Sequence, residues 1–183
     1  APIRQRGWVM FIVWLLVAVI ALFAAAVLFG APYVPSQRRY LRRALTRLYP
    51  VDSQSVVVDI GAGDGVVLRE VSRRGGRAIG YEINPILWLI ARWLSRSDER
   101  VKVHLANFWM QPLPADVTMV YAFSVKRDSV RLIKRLRSEA TRLERPIALL
   151  CLGSPLPAMA PIATLDAYLL YEFHPSQSNM LTV

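Results

Sequence analysis

Between Ser55 and Gly65 the chain reads S-V-V-V-D-I-G-A-G-D-G, and a second short run, R-A-I-G-Y-E, ends at Glu82. The residue types in these two runs suit one kind of ligand. Asp59 and Asp64 supply carboxylates that fit an amine. The backbone N–H groups of Gly61, Ala62, Gly63 and Gly65 fit a carboxylate, because glycine lets backbone approach a ligand closely and allows positive φ. Glu82, about 20 residues past the loop, is placed to accept hydrogen bonds from both hydroxyls of a ribose, and Ile83 follows it as a further contact. A dinucleotide fingerprint would need glycine at position 66, where the chain has Val66. The glycines here follow a D-x-G-x-G-x-G pattern instead.

The elements that position these groups are legible in the hydrophobic pattern. Three valines before Asp59 read as a buried strand, and Val66–Arg74 as the helix that follows the loop, closed by Gly75-Gly76. The helix N-terminus beside the loop carries free N–H groups. Arg77–Glu82 is a second strand. Asn84-Pro85 opens a helix to Arg96 with proline in its first turn, and the apolar residues of that helix, Trp93 included, are expected in the core. Val101–Ala106 is a third strand, with His104 as a structural histidine. Asp116–Phe123 is a fourth strand whose end lies at the topological switch point, where α/β sheets bind ligands. Tyr121, Phe123 and Ser124, with Trp109, are therefore the substrate-pocket candidates, and none is assigned as a base. Ser129–Glu144 is a basic amphipathic helix, Ile147–Leu152 a fifth strand and Tyr168–Phe173 the last. The fold class is α/β, Rossmann-like and mostly parallel. The short C-terminal part predicts a reduced sheet or a very tight final hairpin.

Composition bounds the rest. The chain has 183 residues, 23 Lys plus Arg against 13 Asp plus Glu, and one cysteine, Cys151. A disulfide framework is excluded, and no Cys/His cluster has metal-ligand spacing, so no metal is expected. Trp8–Phe29 is uncharged and free of Pro and Gly. As a helix it would reach about 33 Å, against ~30 Å for a hydrocarbon core, so it is expected to be a single membrane span. Arg38, Arg39, Arg42, Arg43 and Arg47 after it outnumber Arg4 and Arg6 before it, which predicts a cytoplasmic catalytic domain. The expected organisation is an anchor over 1–30, a stiff linker and basic helix over 31–50, and a ligand-binding domain over 51–183. Ser36 reads as an N-cap, with Leu41, Ala44 or Leu45, and Leu48 as the apolar stripe of the basic helix. Its arginine face suits anionic headgroups. The basic residues are not interleaved with stacking aromatics, so nucleic acid is not expected as a partner.

The D-x-G-x-G-x-G form resembles the first motif of class I S-adenosylmethionine-dependent methyltransferases. In such proteins an acid or amide after the third strand meets the adenine amino group and an apolar neighbour meets its ring, which the resemblance carries to Asn107 and Phe108. The order of a span, then P-Y-V-P-S, V-D-I-G-A-G-D-G, G-Y-E-I-N-P and N-F-W resembles the membrane-anchored protein-lysine methyltransferases of mitochondria, which act on the ATP synthase c-subunit and the adenine nucleotide translocase. It runs from about Ala31 to Tyr171. It implies S-adenosylmethionine as cofactor, a lysine on a membrane protein as substrate, and closure of Tyr33, Pro35 and Ser36 over the cofactor. Asn107 in place of the usual Asp and the shortened C-terminal region depart from the pattern, as in a prokaryotic relative with another target. The chain has neither N-P-P-Y nor D-P-P-Y after its fourth strand and no Pro-Cys pair there, which weighs against adenine-N6, glutamine and cytosine methylation. A lipid or small apolar substrate, and a non-catalytic cofactor-binding membrane module, are the alternatives.

Overall fold

A computed structural model of the protein describes residues 2–29, 37–124 and 126–176, with no side-chain description for 2–6, 22–29, 124 and 126. The chain divides into two units, Ala1–Tyr33 and Val34–Val183. The first holds one helix, α1 (Pro2–Phe29). The membrane span expected over Trp8–Phe29 is not supported, because among the described residues no helix is long and apolar enough to cross a membrane. Tyr33, Pro35 and Ser36 lie outside the described residues.

The second unit is a seven-stranded sheet in the order β3-β2-β1-β4-β5-β7-β6. Its strands are β1 (Val56–Ile60), β2 (Arg77–Glu82), β3 (Val101–Leu105), β4 (Met119–Ser124), β5 (Ile147–Gly153), β6 (Ala163–Leu165) and β7 (Tyr168–Phe173). The first five are parallel, and β7 runs antiparallel to both β5 and β6. The sheet is thus complete, not reduced. The expected tight hairpin is what completes it: Asp166 and Ala167 alone link β6 to β7, with Asp166 at φ 55°. A three-residue strand carries too little pattern to be read from sequence.

Alternation along the strands sorts side chains onto two faces. Val56, Val58, Ile79, Tyr81, Val120 and Ala122 join the cluster that includes Leu132, Ile133 and Leu136 of α5 (Lys126–Leu143). Val57, Ala78, Met119 and Tyr121 join the cluster that includes Val67, Leu68 and Val71 of α3 (Val66–Ser72). That second face is completed by α2 (Arg38–Arg43) and a π-helical turn (Ala44–Leu48), whose Leu41, Ala44 and Leu45 are fully buried. The helix begins behind Gln37, which makes no side-chain cap bond.

Two expectations change at the β3 edge. The helix α4 (Pro85–Leu94) buries only Ala91, and its Trp93 is 62% exposed. The strand β3 is the edge of the sheet, so no further strand lies beyond it for α4 to cover. His104 is exposed and stacks 5.7 Å from Tyr81, so it is a surface residue.

Candidate functional site

The carboxyl ends of β1 and β2 bring the predicted loop and acids together. Gly61, Gly63 and Gly65 all have positive φ, at 135°, 56° and 79°, which is where glycine is needed. A Cβ on Gly61 would meet nothing within 4 Å, so this wall of the loop faces open space. Gly65 is the N-cap of α3 in the left-handed region. Ala62 is buried, and its N–H donates to the Tyr81 carbonyl at 3.0 Å, which ties the loop to β2.

Glu82 is the hub. Its Oε2 accepts from the Gly63 N–H and its Oε1 from the Asn84 N–H, both at 2.8 Å. Each carboxylate oxygen has two lone pairs, so acceptor capacity remains for two hydroxyls. Asn84 in turn caps α4, its Oδ1 accepting from Ile86 and Leu87 N–H at 2.9 and 3.3 Å. One carboxylate therefore joins the loop to the start of α4. Asn84 was legible only as the opening of a helix; its bond to Glu82 depends on the turn after β2.

Asp59 is 3% exposed, and its carboxyl is pushed up to about 8 by burial first, then by the charges of Glu82 and Asp64. Among the hydrogen bonds and ion pairs described, no cation reaches Asp59 or Glu82. Asp64 is engaged otherwise: its Oδ1 accepts from Val66 N–H at 3.2 Å, and Arg69 holds its carbonyl at 2.6 Å and its Oδ2 at 3.4 Å. Of the two aspartates expected to meet an amine, Asp64 is thus tied to α3 and Asp59 is the one without a cation.

Gly80 was missed as a site-forming residue. It pairs with Asp59 across the ladder, and a Cβ there would lie 2.6 Å from Leu68 Cδ1 and 2.7 Å from Ala62 Cβ. Only glycine lets the loop and α3 close down on β2. Its signal in the sequence is an isolated glycine inside a strand.

Beyond β3, the Asn107 Oδ1 accepts from Trp109 N–H at 3.0 Å and starts a 3-10 turn (Phe108–Met110). Phe108 is only 5% exposed, its ring 6.1 Å from Tyr81 and 5.3 Å from Trp109. It belongs to the core, whereas Ile83, 44% exposed, presents free apolar surface beside Glu82. Arg131 lies 4.3 Å over the Trp109 ring. Of the substrate-pocket candidates, Tyr121 is 3% exposed with its ring 6.3 Å from Tyr168. Alternation turns it onto the α3 face, where it packs in the core. Phe123 is half-buried at the end of β4, and Ser124 ends that strand. Among the described residues no group of three or more His, Cys, Asp or Glu side chains is placed to hold a metal ion.

The strand order, the Gly-rich loop after β1 and the acid ending β2 define the class I S-adenosylmethionine-dependent methyltransferase fold. The solved structure of an RNA methyltransferase from Salinibacter ruber in complex with S-adenosyl-L-homocysteine has this fold: TM-score 0.66, 23% identity, 79% of this chain and 95% of that one covered. No family model matches the chain. Among curated proteins it is similar to the ATP synthase C-subunit lysine N-methyltransferase of Xenopus laevis, 29% identical over 140 residues, which cover 70% of this chain and 61% of that protein. The human protein of the same name is 26% identical over 133 residues, covering 71% of this chain and 54% of that one. The chain thus spans a little over half the length of these curated relatives.

Proposed function

We propose that this protein is an S-adenosylmethionine-dependent methyltransferase that methylates a lysine of a membrane protein at the membrane surface. The observation that carries the cofactor reading is the pair of buried carboxylates, Asp59 and Glu82, with no cation among their described partners. S-adenosylmethionine carries an ammonium and a sulfonium, and a cation is what such a pair needs to remain buried and charged. The open Gly61 wall leaves room for its amino-acid end.

When bound, S-adenosylmethionine supplies an activated methyl group. The chain's own residues do the rest. Asp59 would face the ammonium. The Ala62, Gly63 and Gly65 N–H groups are taken by the Tyr81 carbonyl, Glu82 and the Ala62 carbonyl, so the carboxylate is left to the remaining N–H groups of the loop. Glu82 fixes the ribose through oxygens already aligned by Gly63 and Asn84. Asn107 has its carbonyl committed to the Trp109 N–H but keeps acceptor capacity for an adenine amino group. Phe123 and Ser124 end the strand beside β1, where a substrate amine would enter. Catalysis then consists of alignment and exclusion of water around a neutral amine, with no side chain assigned as base.

The lysine substrate is supported by the 26–29% identity to lysine methyltransferases. The membrane setting is supported by the exposed Arg38 and Arg39 of α2, which suit anionic headgroups, whereas Arg42 and Arg43 are held by Glu70 and Asp166. The test is incubation of membranes with the enzyme and methyl-labelled S-adenosylmethionine, then separation of protein from lipid. Label on a protein lysine is expected. Label in lipid alone, or cofactor binding without any transfer, overturns the lysine reading.

A further inference from the structure

The helix α4 is built inside out. Its inner side is anchored: the Trp88 Nε1–H donates to the Val103 carbonyl at 3.1 Å, Ala91 is fully buried, and Ser95 just beyond it is 6% exposed. Its outer side carries Leu89, Ile90, Trp93 and Leu94, which are 56%, 40%, 62% and 42% exposed. These recur at helical spacing and form one stripe. Ile83, just before the helix and next to Glu82, is 44% exposed as well. A contiguous apolar patch of this kind marks an interaction surface.

We propose that this face of α4 docks the catalytic unit on an anionic lipid surface. The inference rests on the membrane-surface reading above and adds the surface that makes the contact. Charge complementarity selects the occupant. Arg92 lies 5.4 Å over the Trp88 ring and Arg96 4.9 Å over the Trp93 ring. A guanidinium beside an indole can meet headgroup phosphate while the ring enters the acyl boundary. The helix has no acidic residue. Asp98 and Glu99 follow in the next turn and are answered in sequence by Arg100 and Lys102. The whole chain has a net charge of +10, which favours an anionic surface over an acid-poor protein groove. The docking helix is also joined to the cofactor wall, since Glu82 holds the Asn84 that caps it. A bilayer seated on α4 would therefore lie at a fixed orientation to the loop.

The test uses the full chain as a Trp93→Cys variant carrying an environment-sensitive fluorophore. Cys151 is fully buried with its thiol pushed up to about 12, so labelling is confined to position 93. A second variant, Arg137→Cys on the exposed side of α5, is the control. With phosphatidylcholine–phosphatidylglycerol vesicles, the label at 93 is expected to shift to the blue and to lose most of its emission to acyl-chain bromine. Pure phosphatidylcholine is expected to give a much smaller loss, and the control label none. Absence of quenching at 93 overturns the proposal, as does equal quenching in both lipids. Shielding that appears without vesicles also overturns it, assigning the face to a second copy if it grows with protein concentration and to another segment of this chain if it does not. Cofactor affinity measured on the same labelled protein separates the two readings. Intact binding without lipid quenching removes only the docking face, whereas loss of cofactor binding in the unsubstituted chain removes the functional reading itself.

Discussion

Among the described residues carboxylates are buried at Glu70, at Glu139 and at the Asp59–Glu82 pair, and the first and last of these places are solved in opposite ways. Glu70 on α3 is 1% exposed and is met by three guanidiniums: Arg42 at 3.1 Å through both oxygens, Arg73 at 2.5 Å and Arg74 at 3.2 Å. Burial alone would raise its carboxyl, but hydrogen bonds from Arg42 and Arg74 and the charges of Arg42 and Arg73 outweigh that and hold it below the ordinary range. It fastens α2 to α3 and is complete within the chain. Asp59 and Glu82 stand to either side of it in sequence, with backbone N–H partners for Glu82 and no cation described for either. Buried acids that the chain itself neutralises are structural, and buried acids left for something else to neutralise mark a ligand site.

The largest expected effect tests that distinction directly. Glu82→Ala leaves the Gly63 and Asn84 N–H groups unpaired and removes the ribose acceptor. S-adenosylmethionine affinity by calorimetry should fall about a hundredfold or more, roughly 2.7 kcal/mol. Gly63→Arg, which fills the loop, should do the same. Glu70→Ala should leave affinity unchanged, and an equal loss in that variant would erase the contrast.

Asp59 sharpens it through pH. Its carboxyl has an ordinary value of 3.8 and stands at about 8 in the fold. Between those values the folded state binds a proton that the unfolded chain does not, so stability declines as pH rises from about 4 to about 8 and then levels. A cationic ligand favours the ionised form, so binding near neutral pH should release a proton. Affinity should rise by up to about tenfold per pH unit below about 8 and flatten above it. Asp59→Asn should bind about tenfold more weakly at high pH and lose the dependence. A flat profile in the unsubstituted protein would show that Asp59 does not meet the cation.

Smaller effects concern stability. Gly80→Ala drives a methyl against Ala62 and Leu68 and should cost about 1–3 kcal/mol by denaturant unfolding, with cofactor affinity falling in parallel. Glu70→Ala should cost about 1–2 kcal/mol, since Arg42 and Arg73 are exposed enough to return to water and Arg74 keeps its bond to the residue 70 carbonyl. Asn107→Ala removes one cap and should cost roughly 1 kcal/mol or less.

The Gly-rich loop after β1 and the acid that ends β2 were largely legible in the sequence. Glycine spacing, the valine run and an acid one strand later are local signals, because positive φ, strand burial and loop length are all fixed within a few residues. The same holds for the bounds of β7 and for the presence of the basic helix α5, which starts at Lys126 and not at the expected Ser129. What failed was the direction of side chains across elements. Tyr121 and Phe108 looked like site residues because of their strand ends, yet the layer covering each face puts both in the core. The stripe on α4 looked like core because apolar periodicity reports a face and not what covers it. Only the sheet edge, which sets how much surface α4 can bury, turned that stripe outward. Likewise the sequence put Glu70 inside the helix after the loop, three and four residues before Arg73 and Arg74, but its pairing with Arg42 depended on α2 lying across α3. Local chemistry is written along the chain, whereas neutralisation and exposure are decided by which elements meet.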